Sequence, residues 1–151
     1  MRAAPRSEQV TAELDSMSES ECWRRLTLHN FGRLAIDVDG QPLIFPVNYA
    51  VCNRVIAIRS APGTKLTYVP GVKVAFEIDG SDPLSGSGWS VLVQGRGVDA
   101  TTALDDVSWN ARGAAPHPAA PGRKDYRIAI EVQTITGRKF GPAPIAGYDT
   151  L

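Results

Sequence analysis

RVIAIRSAPGTKL, residues 54–66, is the stretch on which the reading of this chain turns. Val55, Ile56, Ala57 and Ile58 form a β-prone apolar run, Pro62-Gly63 breaks it, and Thr64-Lys65-Leu66 restarts the chain as a short helix running to about Tyr68. Arg59 and Ser60 close the strand; Thr64 and Lys65 open the helix. Two cations, two hydroxyls and the unsatisfied N–H groups of a helix start therefore lie close together, an arrangement that favours an anion. Two readings stay open on these residues alone. One is a phosphate site, the other a solvated loop whose Arg and Lys serve solubility.

Upstream, Ser18 and Glu21 have capping-box spacing, and Cys22, Trp23 and Leu26 then share one helical face. Gly32 is expected to end that helix in the left-handed conformation. Arg33 to Val38 reads as a strand that reaches Asp39-Gly40, a strong hairpin signal, and Pro42 to Val51 as the strand that returns. Its one face carries Leu43, Phe45, Val47, Tyr49 and Val51; its other carries Ile44, Pro46, Asn48 and Ala50. Proline cannot donate to a ladder, so Pro46 marks an edge, a bulge or a ligand-facing position.

Downstream, Val72 to Ile78 alternates with Val72, Val74, Phe76 and Ile78 inward, and residues 80–88 read as a Gly/Ser loop. Trp89 to Val98 is a long strand whose Gly95 and Gly97 suit a bulge. Thr101 to Asn110 reads as a helix packing through Leu104, Val107 and Trp109. Residues 113–122 form a Pro/Ala/Gly loop, and Tyr126 to Ile135 the last strand. Six strands joined by hairpins, with only short helices, argue for a small antiparallel barrel and against a βαβ sheet. A short barrel with long loops leaves apolar surface that a second copy would cover.

Composition narrows the partners. The 151 residues suit one domain, read here as residues 14–151 behind a polar, aperiodic tail, residues 1–13, expected to be disordered or loosely attached. Sixteen basic and sixteen acidic residues are interspersed, with no basic stripe for nucleic acid. No stretch suits a membrane helix and none reads as a secretory signal. Cys22 and Cys52 lack metal or redox spacing, which fits a reducing cytoplasm.

No nucleophile elbow, P-loop, Rossmann fingerprint or metal-ligand cluster is present in the sequence. His29 reads as a helix-terminal cation, and Glu77, Asp79 and Asp82 as solvent-facing carboxylates. Reaction chemistry would then come from a cofactor. Three segments could build its pocket: Phe45-Pro46-Val47-Asn48, whose N–H groups the proline aims at a heteroaromatic edge; the corner of Arg59, Ser60, Thr64 and Lys65; and Trp89-Ser90-Val91. A flat apolar slot with polar rims and a phosphate anchor is what flavin mononucleotide requires.

The succession GRLAI (32–36), FPVNYAV (45–51), APGTKL (61–66), VAFEID (74–79), GWSVLVQGRG (88–97) and TGRKF (136–140) resembles the pyridoxamine 5′-phosphate oxidase-like flavin-binding split-barrel family. The nearer likeness is to its small actinobacterial, nitroimidazole-resistance-like branch. The resemblance runs from about Leu14 to Phe140. It implies a mainly β fold with short helices, a six-stranded antiparallel split β-barrel, and a homodimer holding FMN in two interface grooves. On this likeness Arg59, Ser60, Thr64 and Lys65 hold the phosphate and Phe45, Pro46, Val47 and Asn48 line the isoalloxazine. Trp89, Ser90 and Val91 come from the partner subunit, and Arg138 approaches the site. The expected function is hydride or electron transfer to or from a small molecule, in the cytoplasm, with no nucleic acid or membrane partner. Residues 141–151 lack the basic and histidine cluster of the pyridoxal-forming oxidases, which argues against that reaction. Two rival readings keep the fold. A deazaflavin-dependent reductase would use Lys73, Arg96, Arg123 and Lys124 on the longer cofactor tail, and a flavin-storage or sensing module would have no turnover. A proton donor beside the ring is sought among Tyr49, Tyr68 and His117.

Overall fold

The computed structural model describes residues 14–60, 68–101, 105–113 and 126–142. The elements are β1 (Leu14–Met17), α1 (Glu19–Leu28), β2 (Phe31–Val38), β3 (Gln41–Cys52), β4 (Val55–Ser60), β5 (Lys73–Ser81), β6 (Gly88–Asp99), α2 (Asp106–Gly113) and β7 (Tyr126–Phe140). The strands follow the order β1-β7-β4-β3-β2-β5-β6, and β6 pairs again with β7. Six strands thus close into a ring of antiparallel pairs, with the short β1 added beside the end of β7. This is the mainly β, ringed arrangement that a split barrel requires.

Local chemistry explains most element ends. The Ser18 side chain accepts the Glu21 N–H at 3.1 Å, capping α1. Asp39 and Gly40 take positive φ values of 53° and 81°, the turn that joins β2 to β3 through the pair Val38–Gln41. Asn53 and Arg54 do the same between β3 and β4, at 49° and 62°. No glycine eases that second turn. Its side chains hold it instead: Asn53 donates to Asn110 at 2.8 Å and Arg54 donates to Glu19 at 2.7 Å.

Period-two burial builds the core. Leu34, Ile36, Val47, Tyr49, Ile56, Ile58, Val74, Phe76, Ile78, Val91, Val93, Ile128 and Ile130 point inward, and Cys22 and Leu26 of α1 close one end. A second cluster, Val55, Ala57 and Ala129 with Ala111 of α2, lies on the outer side of β4 and β7. The expected bulge is present as a register shift between Gln94 and Gly95.

Two expectations are corrected. Gly32 does not cap α1; it lies inside β2 opposite Val47. A Cβ there would come within 2.5 Å of the Phe76 ring, so it is close packing that requires glycine. The late helix spans Asp106–Gly113, with Asp105 accepting the Ser108 N–H at its start, and Trp109 is 66% exposed instead of packed. The tail 1–13, the expected short helix after Pro62-Gly63 up to Thr67, Leu104 and the greater part of the 113–122 loop lie outside the described residues.

Candidate flavin-binding edge and aromatic cleft

The geometry of β3 accounts for its prolines. In a two-residue hairpin the closing pair, Val38 and Gln41, is the hydrogen-bonded one, and bonding alternates from there. Odd-numbered residues of β3 direct their N–H groups to β2, as Tyr49 does toward Asn30 at 2.9 Å. Even-numbered residues face the other way. Pro42 and Pro46 are both even, and β4 joins that side of β3 only from Tyr49 onward. Both prolines therefore sit where no described strand runs alongside, and Asn48 lies at the end of that stretch, next to the register position of Arg59 on β4. The N–H of Val47 belongs to the β2 ladder.

Side-chain direction sorts the expected site residues. Pro46 and Asn48 are exposed on the outer surface. Val47 and Val91 are buried in the barrel interior and Phe45 packs half-buried against the same core, so outside the barrel these three can offer backbone only. Arg59 shares the outer surface of β4 with Val55 and Ala57. The side chain of Ser60, and Thr64 and Lys65 entirely, lie outside what is described. Ser90 is half-buried on β6, opposite Asp79 and Arg138.

The register adds one residue beside Arg59, in the corner read from sequence as an anion site. Arg127 of β7 stands directly opposite Arg59, on the same face, and donates to the Arg112 carbonyl at 2.7 Å. In sequence the two are far apart, and only the pairing of β4 with β7 brings them together.

Trp89 and Ser90 do not join this group within one chain. In the ring β3 and β6 are separated by two strands in either direction, which places them on opposite walls. Trp89 instead belongs to a second feature, an open cleft of about 800 Å³ between the end of α1 and the ends of β5, β6 and β7. A Cβ on Gly80 would meet the Trp89 ring at 2.6 Å, and one on Gly88 would meet Phe140 at 2.5 Å, so each aromatic lies across the glycine it pairs with. The Arg25 guanidinium stands 4.6 Å from the Trp89 centroid, and the His29 ring 5.0 Å from it. His29 Nδ1 lies 2.8 Å from the Arg25 carbonyl, which can only accept, so Nδ1 carries the proton.

The proton-donor candidates also separate. Tyr49 is buried, its hydroxyl donates to the Leu26 carbonyl at 2.7 Å, and burial raises its pKa, so it is structural. Tyr68 is exposed, and His117 lies outside the described residues. His29, read from sequence as a helix-terminal cation, does terminate α1 and also lines the cleft. Glu77 and Asp79 are not an open acidic cluster, because Arg33 reaches them at 3.2 and 3.4 Å.

A ring of six antiparallel strands with short helices defines a small mainly β class of fold consistent with a split barrel. The family profile described as pyridoxamine 5′-phosphate oxidase matches residues 18–139, and the chain belongs to that family. An uncharacterized Mycobacterium tuberculosis protein is 32% identical over 143 residues, covering 90% of each chain. The FAD binding protein of Mycobacterium smegmatis superposes with a TM-score of 0.71 at 33% identity, over 83% of this chain and 99% of that one. A FAD-binding protein of Mesorhizobium loti gives 0.63 at 25% identity, over 83% and 96%. Among the described residues no helix is long and apolar enough to cross a membrane.

Proposed function

We propose that this protein is a homodimeric flavin-nucleotide oxidoreductase acting on a small molecule. The observation that carries the reading is the coincidence of Pro42 and Pro46 with the stretch of β3 that has no described strand on that side, ending near Asn48 and the Arg59–Arg127 pair. A planar ring laid along that edge meets the flat faces of two prolines and the exposed side chain of Asn48. The phosphate end lies toward Arg59, the strand-end residue of the corner read from sequence as a phosphate site. Flavin, when bound, supplies the hydride or electron chemistry. This chain's residues bind it, orient it and shield one face.

The opposite placement of β3 and β6 supports a shared site. Trp89 and Ser90 can reach a ring on β3 only from a second copy. The names of the Mycobacterium smegmatis and Mesorhizobium loti relatives weight FAD over the FMN expected from sequence. An absorbance spectrum of the purified protein tests the reading. Flavin bands that bleach on adding NAD(P)H are the expected result. A colourless protein that takes up neither FMN nor FAD would overturn it, and uptake of a deazaflavin alone would replace it with the reductase alternative.

A further inference from the structure

Resting on the flavin reading, we propose that Arg33, Glu77 and Asp79 form a charged flank of the flavin site, on which Glu77 takes up a proton as the ring is reduced. In the sequence the two carboxylates look solvent-facing and Arg33 is an ordinary strand residue; register brings them to the site. Arg33 of β2 is the direct partner of Pro46 on one side and of Glu77 on the other, so the three form one row across the outer face. Asp79 is the direct partner of Ser90 on β6. The trio therefore lies between the two positions that the flavin reading sets against a ring. Pro46, for the chain's own ring, is one strand or about 5 Å from Arg33, and Ser90, for the ring of a second copy, is one strand from Asp79.

The bonding within the trio leaves it poised. One guanidinium nitrogen, Nη1 of Arg33, donates to Glu77 at 3.2 Å and to Asp79 at 3.4 Å, which sets one positive charge between two carboxylates. Nε and Nη2 of Arg33 make no hydrogen bond among the described residues, so a guanidinium with five N–H donors keeps most of them for a ligand. Burial first, and then the hydrogen bond and charge of Asp79, push the Glu77 carboxyl up to about 7, so near neutral pH a small change of field adds or removes its proton. The other charges on this face stand further off. Lys73 and Arg96 pair across β5 and β6, Arg138 lies beyond Ser90 on β7, Asp37 lies toward the β2–β3 turn, and β3 presents no charge.

Reduction supplies that change of field. A reduced nicotinamide passes two electrons and one proton to a bound flavin and is itself oxidised, and the ring gains one negative charge. Arg33 favours that charge, and the more it serves the ring the less it offsets the charge on Glu77. Glu77 then binds a proton from water, which restores the balance of the flank. It releases the same proton when the electrons leave for the acceptor. Asp79 is a positioning residue in this scheme, holding Arg33 and keeping the proton affinity of Glu77 high.

Midpoint potentials of the flavin-loaded full chain, measured against reference dyes at about pH 6 and about pH 8.5, test the proposal. Wild type and Glu77→Gln should agree at the lower pH, where Glu77 is protonated whether the ring is oxidised or reduced. At the higher pH the variant should lie about 30 mV above the wild type, the equivalent for a two-electron couple of a tenfold rise in the proton affinity of Glu77 on reduction. Arg33→Gln should lower the potential at both pH values, and Arg33→Lys, which keeps the charge, should recover part of the loss. The visible spectrum of each oxidised variant checks that its site is filled. An offset of Glu77→Gln that is the same at both pH values, or absent at both, would overturn the proposal while leaving the flavin reading intact, as would an unchanged potential in Arg33→Gln. A wild type that takes up no flavin would refute the flavin reading itself.

Discussion

Glu77 and Asp79 lie two residues apart on the outer face of β5, and Arg33 donates to both. Burial, and then the hydrogen bond and charge of Asp79, push the Glu77 pKa up to about 7, with Arg33 pulling the other way. An unfolded chain returns this group to its ordinary value of 4.5, so between the two values the folded state binds more protons than the unfolded one. Its contribution to stability is present below about 4.5 and is lost as pH rises through about 7. Glu77→Gln should therefore flatten the fall in the urea midpoint across that window. A variant whose midpoint falls with pH as steeply as the wild type would assign the dependence to another group. The sequence places these three charges on two outward-facing strand surfaces. It does not say that they touch, since Arg33 meets Glu77 only through the pairing of β2 with β5.

At the scale of elements, β3 is the strand whose two sides do different work. One side is zipped to β2; the other is open until Tyr49 and then zipped to β4. Pro46→Ala would restore a donor on the open side and loosen the backbone there. The fold should survive, and flavin affinity should fall by about 1 kcal/mol, the order of one hydrogen bond, with a shifted visible spectrum. A variant with wild-type affinity and spectrum would leave Pro46 as an edge guard only, and poorer solubility would accompany it. Elements of this kind were legible wherever the signal is local. The Ser18 cap and the Asp39-Gly40 turn are chemistry within a few residues, and the alternation of β3 and β5 is a period that burial enforces. Gly32 and Trp109 misled for the complementary reason. Glycine after a helix suggests a cap, but here its role is set by Phe76, on a strand far along the chain. A tryptophan in a short helix suggests core, yet α2 packs through Ala111 and Ser108 and turns Trp109 outward.

At the scale of the molecule, the outer surface carries apolar side chains that the ring cannot bury. Ile44 is 68%, Phe31 52% and Leu92 39% exposed, on β3, β2 and β6. Under the shared-site reading these residues meet a second copy, and the protein should sediment as a dimer at micromolar concentration with at least about 1,200 Å² buried in total. Ile44→Glu would place a charge in that contact and should shift the sedimentation profile toward monomer. A flavin-loaded wild type that sediments as a monomer would contradict the shared site.

The sequence by itself determined the six strands of the ring, most of their inward faces, the first helix and its cap, and the family, because each rests on spacing that a short stretch of chain carries; it missed the short β1 and ended β7 at Ile135, five residues early. It also singled out Pro46, Asn48 and Arg59 as candidate cofactor contacts, each with an ordinary structural alternative left open. Tertiary structure alone decided which of them share a surface. The β3–β2 and β4–β7 registers turn the proline side of β3 to an open edge, set Arg127 opposite Arg59, and bury Val47 and Val91 that sequence had counted with them. Closure of the ring sets β3 and β6 on opposite walls and gathers Arg25, His29, Trp89 and Phe140 from separate elements around one cleft. The physical reason is common to all of these. Register and closure are fixed by contacts between residues distant in sequence, and a change of one residue in register would move every side chain to the other face.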